Sequence, residues 1–491
     1  GFCGAKKGHE DEIEEFLLKT LKDFVEKGIP EAAISSAMKR QEFKLLEVKS
    51  SDYPYGIATA IGVSRVWLRG VDPFEGLKNK ELFEKLKNEV KKGHYFENGI
   101  QKNLLNNQCR CLLTVETDED YDKKQKALLE EKFKSLEQCP QKYIKAYENF
   151  LSTPDTPENL ATIGRITLAD LPVKVEDYKC DKKVLDNGTT LVSYPVSTKV
   201  IVYVHMAIDV KNLCLEDRIL LPVLIRLIQM CGTKTMDYST LSNRIRFLTG
   251  GFIIDQNYGL NVHKKVVSQI IIRTKMLQSD FEEGLSLIKD LFLNGDFSDS
   301  GRIKASITDI ITEFESNYLY SGNAYGSISA TATLSSTMYD SEITMGTSSW
   351  LKAEEIKKEL GDDEKKWVAF GKTLEKLRNK VFTSKALLFH LGCSKETVKD
   401  NENIAINFSK AFPVGKAIRT NVFFKNLPNL PKERVYTVSS SPAFNVLAVK
   451  LDNMTEKQKV QGTLLSSILS YGWLWNEVRG KGGAYGVEAN Y

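Results

Sequence analysis

The clearest chemical signal of this 491-residue chain lies near its carboxyl end. The segment SYGWLWNEVRGKGGAYGVEANY (470–491) places Arg479 six residues before Tyr485, with Gly482 and Gly483 in the glycine-rich loop between them. Glycine permits backbone angles closed to other residues and lets a second chain approach closely. A guanidinium and a phenol flanking such a loop can direct donor groups toward a peptide carbonyl. Composition alone favours a plainer alternative, in which Arg479 forms an ion pair and Tyr485 packs.

Other catalytic motifs are absent from the sequence. The five histidines lie at least 58 residues apart, whereas zinc hydrolysis uses two imidazoles one helical turn apart with a carboxylate beside them. No Gly-x-Ser-x-Gly elbow occurs, and the FGKT segment has Lys366 where the first glycine of a phosphate loop belongs. Tyr485 likewise replaces the third glycine of a dinucleotide fingerprint. We therefore expect no metal-peptidase centre in this chain; the histidines are His9, His94, His205, His263 and His390.

Composition excludes several classes of protein. Hydrophobic residues make up 42% and charged residues 27%, which is typical of a folded globular chain. Lys and Arg total 68 against 64 Asp and Glu, so the net charge of +4 gives no reason to expect a nucleic-acid partner. No run of 18 apolar residues predicts a membrane span. The start at Gly1 has the features of neither a signal peptide nor a transit peptide, and it is expected of a processed product or a fragment.

The eight cysteines are scattered without a Cys-x-x-Cys pair. Neither a disulfide framework nor a zinc ribbon is indicated, and a reducing compartment is favoured. Cys109 and Cys111 lie on the alternating stretch QCRCLLTV, where they would share one face of a strand. Buried thiols are favoured there over a pair of ligands for a soft metal.

Hydrophobic periodicity predicts an α+β protein with antiparallel sheets. Apolar spacing predicts helices in the first part of the chain, at 9–27, 30–48, 55–64, 80–92 and 116–150, before and after an edge strand at 109–116. A connector rich in Pro and Thr follows, and we place a boundary near residue 175. Beyond it, strands are predicted around an Asp186-Asn187-Gly188 turn and at 198–210, 263–276, 386–392 and 443–451. Helices are predicted at 219–230, 279–293, 301–317, 322–338, 351–360 and 363–380, and from a capping box at Thr455 and Gln458.

One internal similarity suggests a duplicated unit. Residues 37–62 can be laid on 306–332, which pairs Glu42-Phe43 with Glu313-Phe314 and Tyr55-Gly56 with Tyr325-Gly326 one residue out of register. Each segment is predicted to form a helix, a turn containing Tyr-Gly, and a helix of small residues.

The terminal motif RGKGGAYG (479–486) resembles the Arg-x-x-Gly-Gly-Ala-Tyr-Gly segment in the second half of presequence-protease and falcilysin-type enzymes. These are pitrilysin/insulinase metallopeptidases with an inverted zinc motif. Residues 66–77, 158–172 and 238–251 resemble other family segments in family order, so the resemblance covers nearly the whole chain. It implies repeated pitrilysin-like domains, each an antiparallel sheet with packed helices, joined by a helical hinge.

Carried onto this numbering, the resemblance divides the chain into four parts. They are the later part of the first half (1–115), the hinge (116–175), a degenerate third domain (176–395) and an incomplete fourth domain (396–491). The family's zinc, histidine and glutamate ligands and glutamate base belong to its first domain, which is outside this sequence.

The resemblance also implies which residues act and which do not. In the third domain Val223, Arg226 and Leu227 stand where His, Glu and His would be, so no metal is expected in this chain. Arg479 and Tyr485 would reach the substrate backbone beside the scissile bond, with Gly482 and Gly483 in the substrate-binding loop.

The leading hypothesis is a zinc-dependent metalloendopeptidase that degrades unstructured peptides in a closed chamber, of which this chain is the part that grips the substrate. Its partners would be peptide substrates and the N-terminal catalytic portion of the same protein, in the matrix of a mitochondrion, plastid or related organelle. One alternative is a non-catalytic subunit that holds peptides in a processing-peptidase-like assembly. Another is a stand-alone peptide-binding module.

Overall fold

The computed structural model divides the chain into two compact units, 1–179 and 180–491. It describes residues 7–48, 54–116, 118–135, 141–162, 164, 167–170, 177–415, 430–437 and 443–491. The boundary predicted near residue 175 lies outside the described residues, as do Cys3 and Cys139. The division into four parts remains a prediction.

The first unit is helical where it is described. Apolar residues at helical spacing form α1, which ends at Gly28 with a positive φ of 81°, and α2 follows Pro30, whose fixed φ suits a helix start. Buried Phe43 and Phe83 contribute to the packing of this unit. The helices predicted from periodicity are confirmed, and the full set is α1 (Glu10–Lys27), α2 (Glu31–Leu46), α3 (Tyr55–Trp67), α4 (Asn79–Lys91), α5 (Tyr95–Ile100), α6 (Tyr121–Ser135), α7 (Gln141–Ser152) and α8 (Pro157–Ala161).

The edge strand predicted at 109–116 is wrong. These residues form an exposed irregular segment, and Cys109 and Cys111 are exposed rather than buried. Alternating apolar residues make a strand possible, but a strand also needs a neighbour to accept its backbone hydrogen bonds. No strand is present in the part of the first unit that the structure describes, so 109–116 has no such neighbour there.

The second unit is built on a six-stranded sheet with the order β1-β2-β6-β3-β5-β4. The predicted Asp-Asn-Gly turn is confirmed: it joins two antiparallel strands, and Gly188 adopts the left-handed conformation at φ 88°. The strands are β1 (Asp181–Val184), β2 (Thr190–Pro195), β3 (Ile201–Asp209), β4 (Phe252–Leu260), β5 (Val266–Leu277) and β6 (Leu387–Cys393).

The sheet is mixed, which corrects the prediction of antiparallel pairing throughout. Strand β6 inserts between β2 and β3 and runs parallel to β2 but antiparallel to β3. A strand that returns after a long helical excursion can approach an earlier strand from either direction, so its orientation is not encoded in its own residues. The strand predicted at 443–451 is also wrong, because that segment is irregular.

Helices cover the core face of this sheet. Helix α10 is apolar almost all round and is buried, as predicted, against the sheet and α13. The helices are α9 (Leu215–Arg218), α10 (Leu221–Met230), α11 (Tyr238–Leu248), α12 (Phe281–Asn294), α13 (Ser300–Thr331), α14 (Ser336–Met345), α15 (Thr347–Leu360), α16 (Glu364–Val381), α17 (Val398–Lys410) and α18 (Glu456–Ile468).

Helix α13 replaces two predicted helices and is kinked at Ser321, where φ is −128°. The Tyr325-Gly326 pair lies inside this helix, so the turn predicted there from the internal similarity is wrong. The small residues have a packing role instead. A side chain at Gly322 or Gly326 would overlap Phe444 or Val446, so glycine lets the segment beginning at 443 lie directly on the helix.

A buried ion pair joins three parts of the second unit. Arg218 has no exposed surface, and its guanidinium donates to the Asp340 carboxylate of α14 at 2.7–2.8 Å. It also donates to Ser268 Oγ of β5 at 2.9 Å and to two backbone carbonyls, those of Val210 and Leu213. Burial raises the pKa of Asp340, while the guanidinium opposes that rise. The network fixes the start of α10 against the sheet and α14.

We predict that Asp340→Asn destabilises the second unit by about 3–5 kcal/mol, because the variant leaves a buried guanidinium without its counter-charge. Urea unfolding followed by circular dichroism measures the change. Lys380→Ala is the matched control, since it breaks a more exposed pair with Asp217 that is worth about 1 kcal/mol or less. Equal effects of the two variants would contradict the importance of the buried pair.

Candidate functional site

The candidate residues of the carboxyl end follow one continuous helical segment. Helix α18 begins with the predicted capping box, in which Thr455 Oγ1 accepts from the backbone N–H of Gln458 and Gln458 accepts from that of Thr455. The helix continues from Leu469 to Lys481 with π-helical hydrogen bonding. The predicted helical approach to the loop is therefore confirmed.

The Arg479 side chain is held by its own helix. Its guanidinium carbon lies 4.0 Å from the centre of the Trp475 ring, four residues earlier, in a cation–π contact. The side chain remains exposed to solvent. Such a contact restrains the guanidinium through its face, while its N–H groups stay available as donors.

The glycine loop ends the helix in a way that requires glycine. The Gly482 and Gly483 N–H groups donate to the carbonyls of Glu477 and Arg479, at 3.0 and 3.2 Å. Gly483 has a φ of 71°, in the left-handed region, and a Cβ on Gly482 would lie 2.6 Å from the Val478 carbonyl oxygen. Both glycines therefore shape the turn that separates Arg479 from Tyr485.

Tyr485 is 95% exposed, which rules out the alternative in which it packs. Beyond it the chain turns back along the helix, where Ser470 Oγ accepts from the Ala489 N–H at 2.8 Å and Tyr491 lies against Gly462. The structure thus holds the loop by its two ends and leaves Tyr485 facing solvent. It places Arg479 on Trp475 and pairs it with no carboxylate of the described residues.

The residues that stand in place of the zinc motif do not fit a metal. Val223 is 3% exposed and Leu227 is fully buried in the core, and neither has a lone pair to donate to zinc. Arg226 forms an ion pair with Glu313 of α13. Among the described residues, no group of three or more His, Cys, Asp or Glu side chains is arranged to hold a metal ion.

Two histidines meet on the open face of the sheet. His205 of β3 and His390 of β6 are paired across the strands with ring centres 5.7 Å apart, and Tyr194 stacks on His390. Burial lowers the pKa of both imidazoles, and nearby Arg273 lowers that of His205 further. They are the packed strand residues that the sequence predicted.

Sequence reasoning missed an aromatic cluster beside the edge strand β4. Phe314 stacks on Trp350 with ring centres 5.0 Å apart and also contacts Tyr318 and Tyr325. The spacing of 314, 318 and 325 places these three rings on one face of a helix, which was the available signal. They adjoin a groove of about 430 Å³ between α10, α13, α15 and β4.

Comparison with known proteins identifies the kind of chain. Residues 115–355 match the model of a family described as associated with peptidase family M16, subfamily C. The chain is 28% identical over 514 aligned residues to Protein HypA of Clostridium perfringens, covering 99% of this chain and 50% of that protein. It is 25% identical to Presequence protease 1, chloroplastic/mitochondrial, of Arabidopsis thaliana, covering 99% and 46%. It is 22% identical to the mitochondrial presequence protease of Emericella nidulans, covering 100% and 48%.

This is a presequence-protease-like, pitrilysin-type chain. It spans about half the length of the curated relatives it matches, so their whole activity is not automatically its own. A solved structure described as the peptidase M16 inactive domain from Pseudomonas fluorescens covers 49% of this chain and 52% of its own at 12% identity. Its TM-score of 0.34 is too low to support a fold assignment. Among the helices of the described residues, none is long and apolar enough to cross a membrane.

The histidine pair predicts a pH dependence of stability. Because the folded-state pKa of each imidazole lies below the ordinary value of about 6.5, the unfolded chain takes up protons first as pH falls. The free energy of unfolding should therefore decrease as pH is lowered from about 7.5 through about 6. Urea unfolding of the double variant His205→Gln/His390→Gln should show a smaller decrease over the same range. An equal decrease would contradict this origin.

We also predict that this chain retains far less than one zinc ion per molecule after dialysis, because its α10 offers aliphatic side chains where ligands would be needed. Metal analysis by mass spectrometry measures the content. The variant Cys109→Ser/Cys111→Ser controls for incidental binding by exposed thiols. One zinc ion per chain, retained in that variant, would contradict the prediction.

Proposed function

We propose that this chain is the substrate-gripping, metal-free portion of a zinc metalloendopeptidase that degrades unstructured peptides. The observation that carries the proposal is the end of the terminal helix, where Arg479 is restrained on Trp475 and a glycine turn leads to exposed Tyr485. The similarity to proteins named presequence proteases supports it.

Arg479 and Tyr485 would act by donating hydrogen bonds to a substrate carbonyl. When a peptide carbonyl is attacked, its oxygen becomes negative, and donors fixed in advance stabilise that charge without reorganising. The cation–π contact with Trp475 restrains the guanidinium before substrate arrives. The turn at Gly482 and Gly483 keeps bulky side chains away from the loop, so a substrate backbone can approach closely.

The metal chemistry would belong to another portion of the complete protein. The residues of α10 do not fit zinc, and we assign the metal to an N-terminal catalytic portion, with which this chain would enclose the peptide. Enclosure would select flexible substrates short enough to be surrounded. The relatives named for mitochondria and chloroplasts support an organelle matrix as the compartment, but others come from bacteria, so the compartment remains a prediction.

A second candidate is a peptide-holding or structural subunit without catalytic residues. The burial of Val223 and Leu227 favours it, because this chain can then act by binding alone. The two candidates differ in what accompanies the chain. Mass spectrometry of the native protein should find a segment containing His-x-x-Glu-His in the same gene product if the peptidase proposal is right.

We predict that Arg479→Ala and Tyr485→Phe, made in the complete enzyme, each lower kcat about a hundred- to a thousandfold, which is the usual loss on removal of one such donor. Steady-state turnover of an unstructured peptide measures it. Lys481→Ala is the matched control, since this neighbouring side chain forms an exposed pair with Glu477 on the helix itself. Unchanged kcat and KM in both variants would reject the assigned roles.

A further inference from the structure

A groove follows one edge of the sheet in the second unit. Strand β4 pairs with β5 on one side and, among the described strands, is the last of the sheet on the other. Four consecutive residues of β4, from Ile253 to Gln256, line the groove. Because successive side chains of a strand point to opposite faces, a cavity lined by all four must lie along the backbone edge and not on one face. The groove therefore opens onto the backbone groups of β4 that point away from β5.

The opposite wall is a helical surface that is mainly apolar. Pro222, Ile225, Arg226 and Gln229 of α10 line it at the spacing of one helix face. From α13, α14 and α15 come further lining residues, mostly apolar or aromatic: Ile310, Glu313, Phe314, Tyr325, Thr344, Met345, Ser349 and Trp350. The volume of about 430 Å³ lies within the range of clefts that bind ligands, roughly 300–1,000 Å³.

One polar atom in this wall is buried without a partner among the described residues. The Nε1 of Trp350 is inaccessible to solvent and forms no hydrogen bond there, although the ring stacks on Phe314. A buried indole N–H that lacks an acceptor is costly, and most such groups in proteins have a partner. A peptide carbonyl is an acceptor of the kind this donor lacks.

The charges of the groove are already paired. Arg226 forms an ion pair with Glu313, and Asp255 forms one with Arg273. The lining residues that the structure describes therefore offer no unpaired charge to attract an acidic or a basic ligand. Their chemistry suits an uncharged segment with large apolar side chains.

We propose that this groove is a second peptide-binding site, which takes an extended, uncharged segment as an added strand on β4. The ligand backbone pairs with the outer edge of β4, and alternate side chains enter the apolar cavity. One ligand carbonyl accepts from Trp350 Nε1. This inference shares with the proposed function the class of ligand, an unstructured peptide, but it requires neither zinc nor Arg479 and Tyr485.

The test measures binding of a short fluorescein-labelled peptide of Gly, Ser and Gln with a central Leu-Val-Phe to the full 491-residue chain by fluorescence anisotropy. Gln229→Trp fills the groove from an exposed position and should raise Kd at least about tenfold. Trp350→Phe keeps the stacking but removes the donor, and it should raise Kd about five- to tenfold. Val262→Trp, at an exposed turn outside the groove, is the matched control and should bind as the unaltered chain does.

Two further measurements locate the ligand. Peptide should slow amide hydrogen exchange in residues 253–256, and it should do so in Arg479→Ala and Tyr485→Phe as well. A peptide with Ser in place of Leu-Val-Phe should bind at least about tenfold more weakly, whereas added salt should change Kd little. Circular dichroism confirms that each variant is folded.

Several results would overturn the inference. They are absence of binding to the unaltered chain, unchanged affinity of Gln229→Trp, or unchanged exchange at 253–256. If binding is lost in Arg479→Ala and Tyr485→Phe but kept in both groove variants, the groove site is rejected while the proposed function stands. If the groove variants weaken binding but turnover of the complete enzyme ignores Arg479 and Tyr485, the opposite holds.

Discussion

The second unit depends on keeping the Arg218 guanidinium fully hydrogen-bonded in the absence of water. A buried charge is tolerated only where its partners compensate for lost hydration, and here they come from the segment before α10, from β5 and from α14. These elements therefore cannot shift independently. Because α14 leads directly into α15, the same constraint positions Trp350 and Phe314 beside β4. The geometry of the groove is thus a consequence of a charge buried elsewhere.

Local chemistry made much of the fold predictable. The all-round apolar run at 221–230 could only be a buried helix, the Asp-Asn-Gly turn required a hairpin, and Thr455 with Gln458 marked the start of α18. In each case the decisive interactions lie within a few residues of one another. The candidate residues at the carboxyl end were found in the same way, from spacing and glycine content.

The errors share one physical cause, which is dependence on distant partners. Alternation at 109–116 and 443–451 shows that a strand could pair, but it does not supply the neighbouring strand. The groove joins residues from 222 to 350 that meet only after the helices pack, so no single stretch of sequence contains it. The contact of Arg479 with Trp475 was nearer to hand, since residues four apart on a helix are neighbours.

The insertion of β6 between β2 and β3 has a consequence for how the chain acquires this structure. Neither β2 nor β3 can complete its ladder until residues 387–393 have been synthesised, long after β2 itself. Contacts of such long sequence separation slow folding, and until they form, the apolar strands remain open to pairing with other chains. Nascent chains of this protein should therefore need protection from aggregation during translation until the sheet closes.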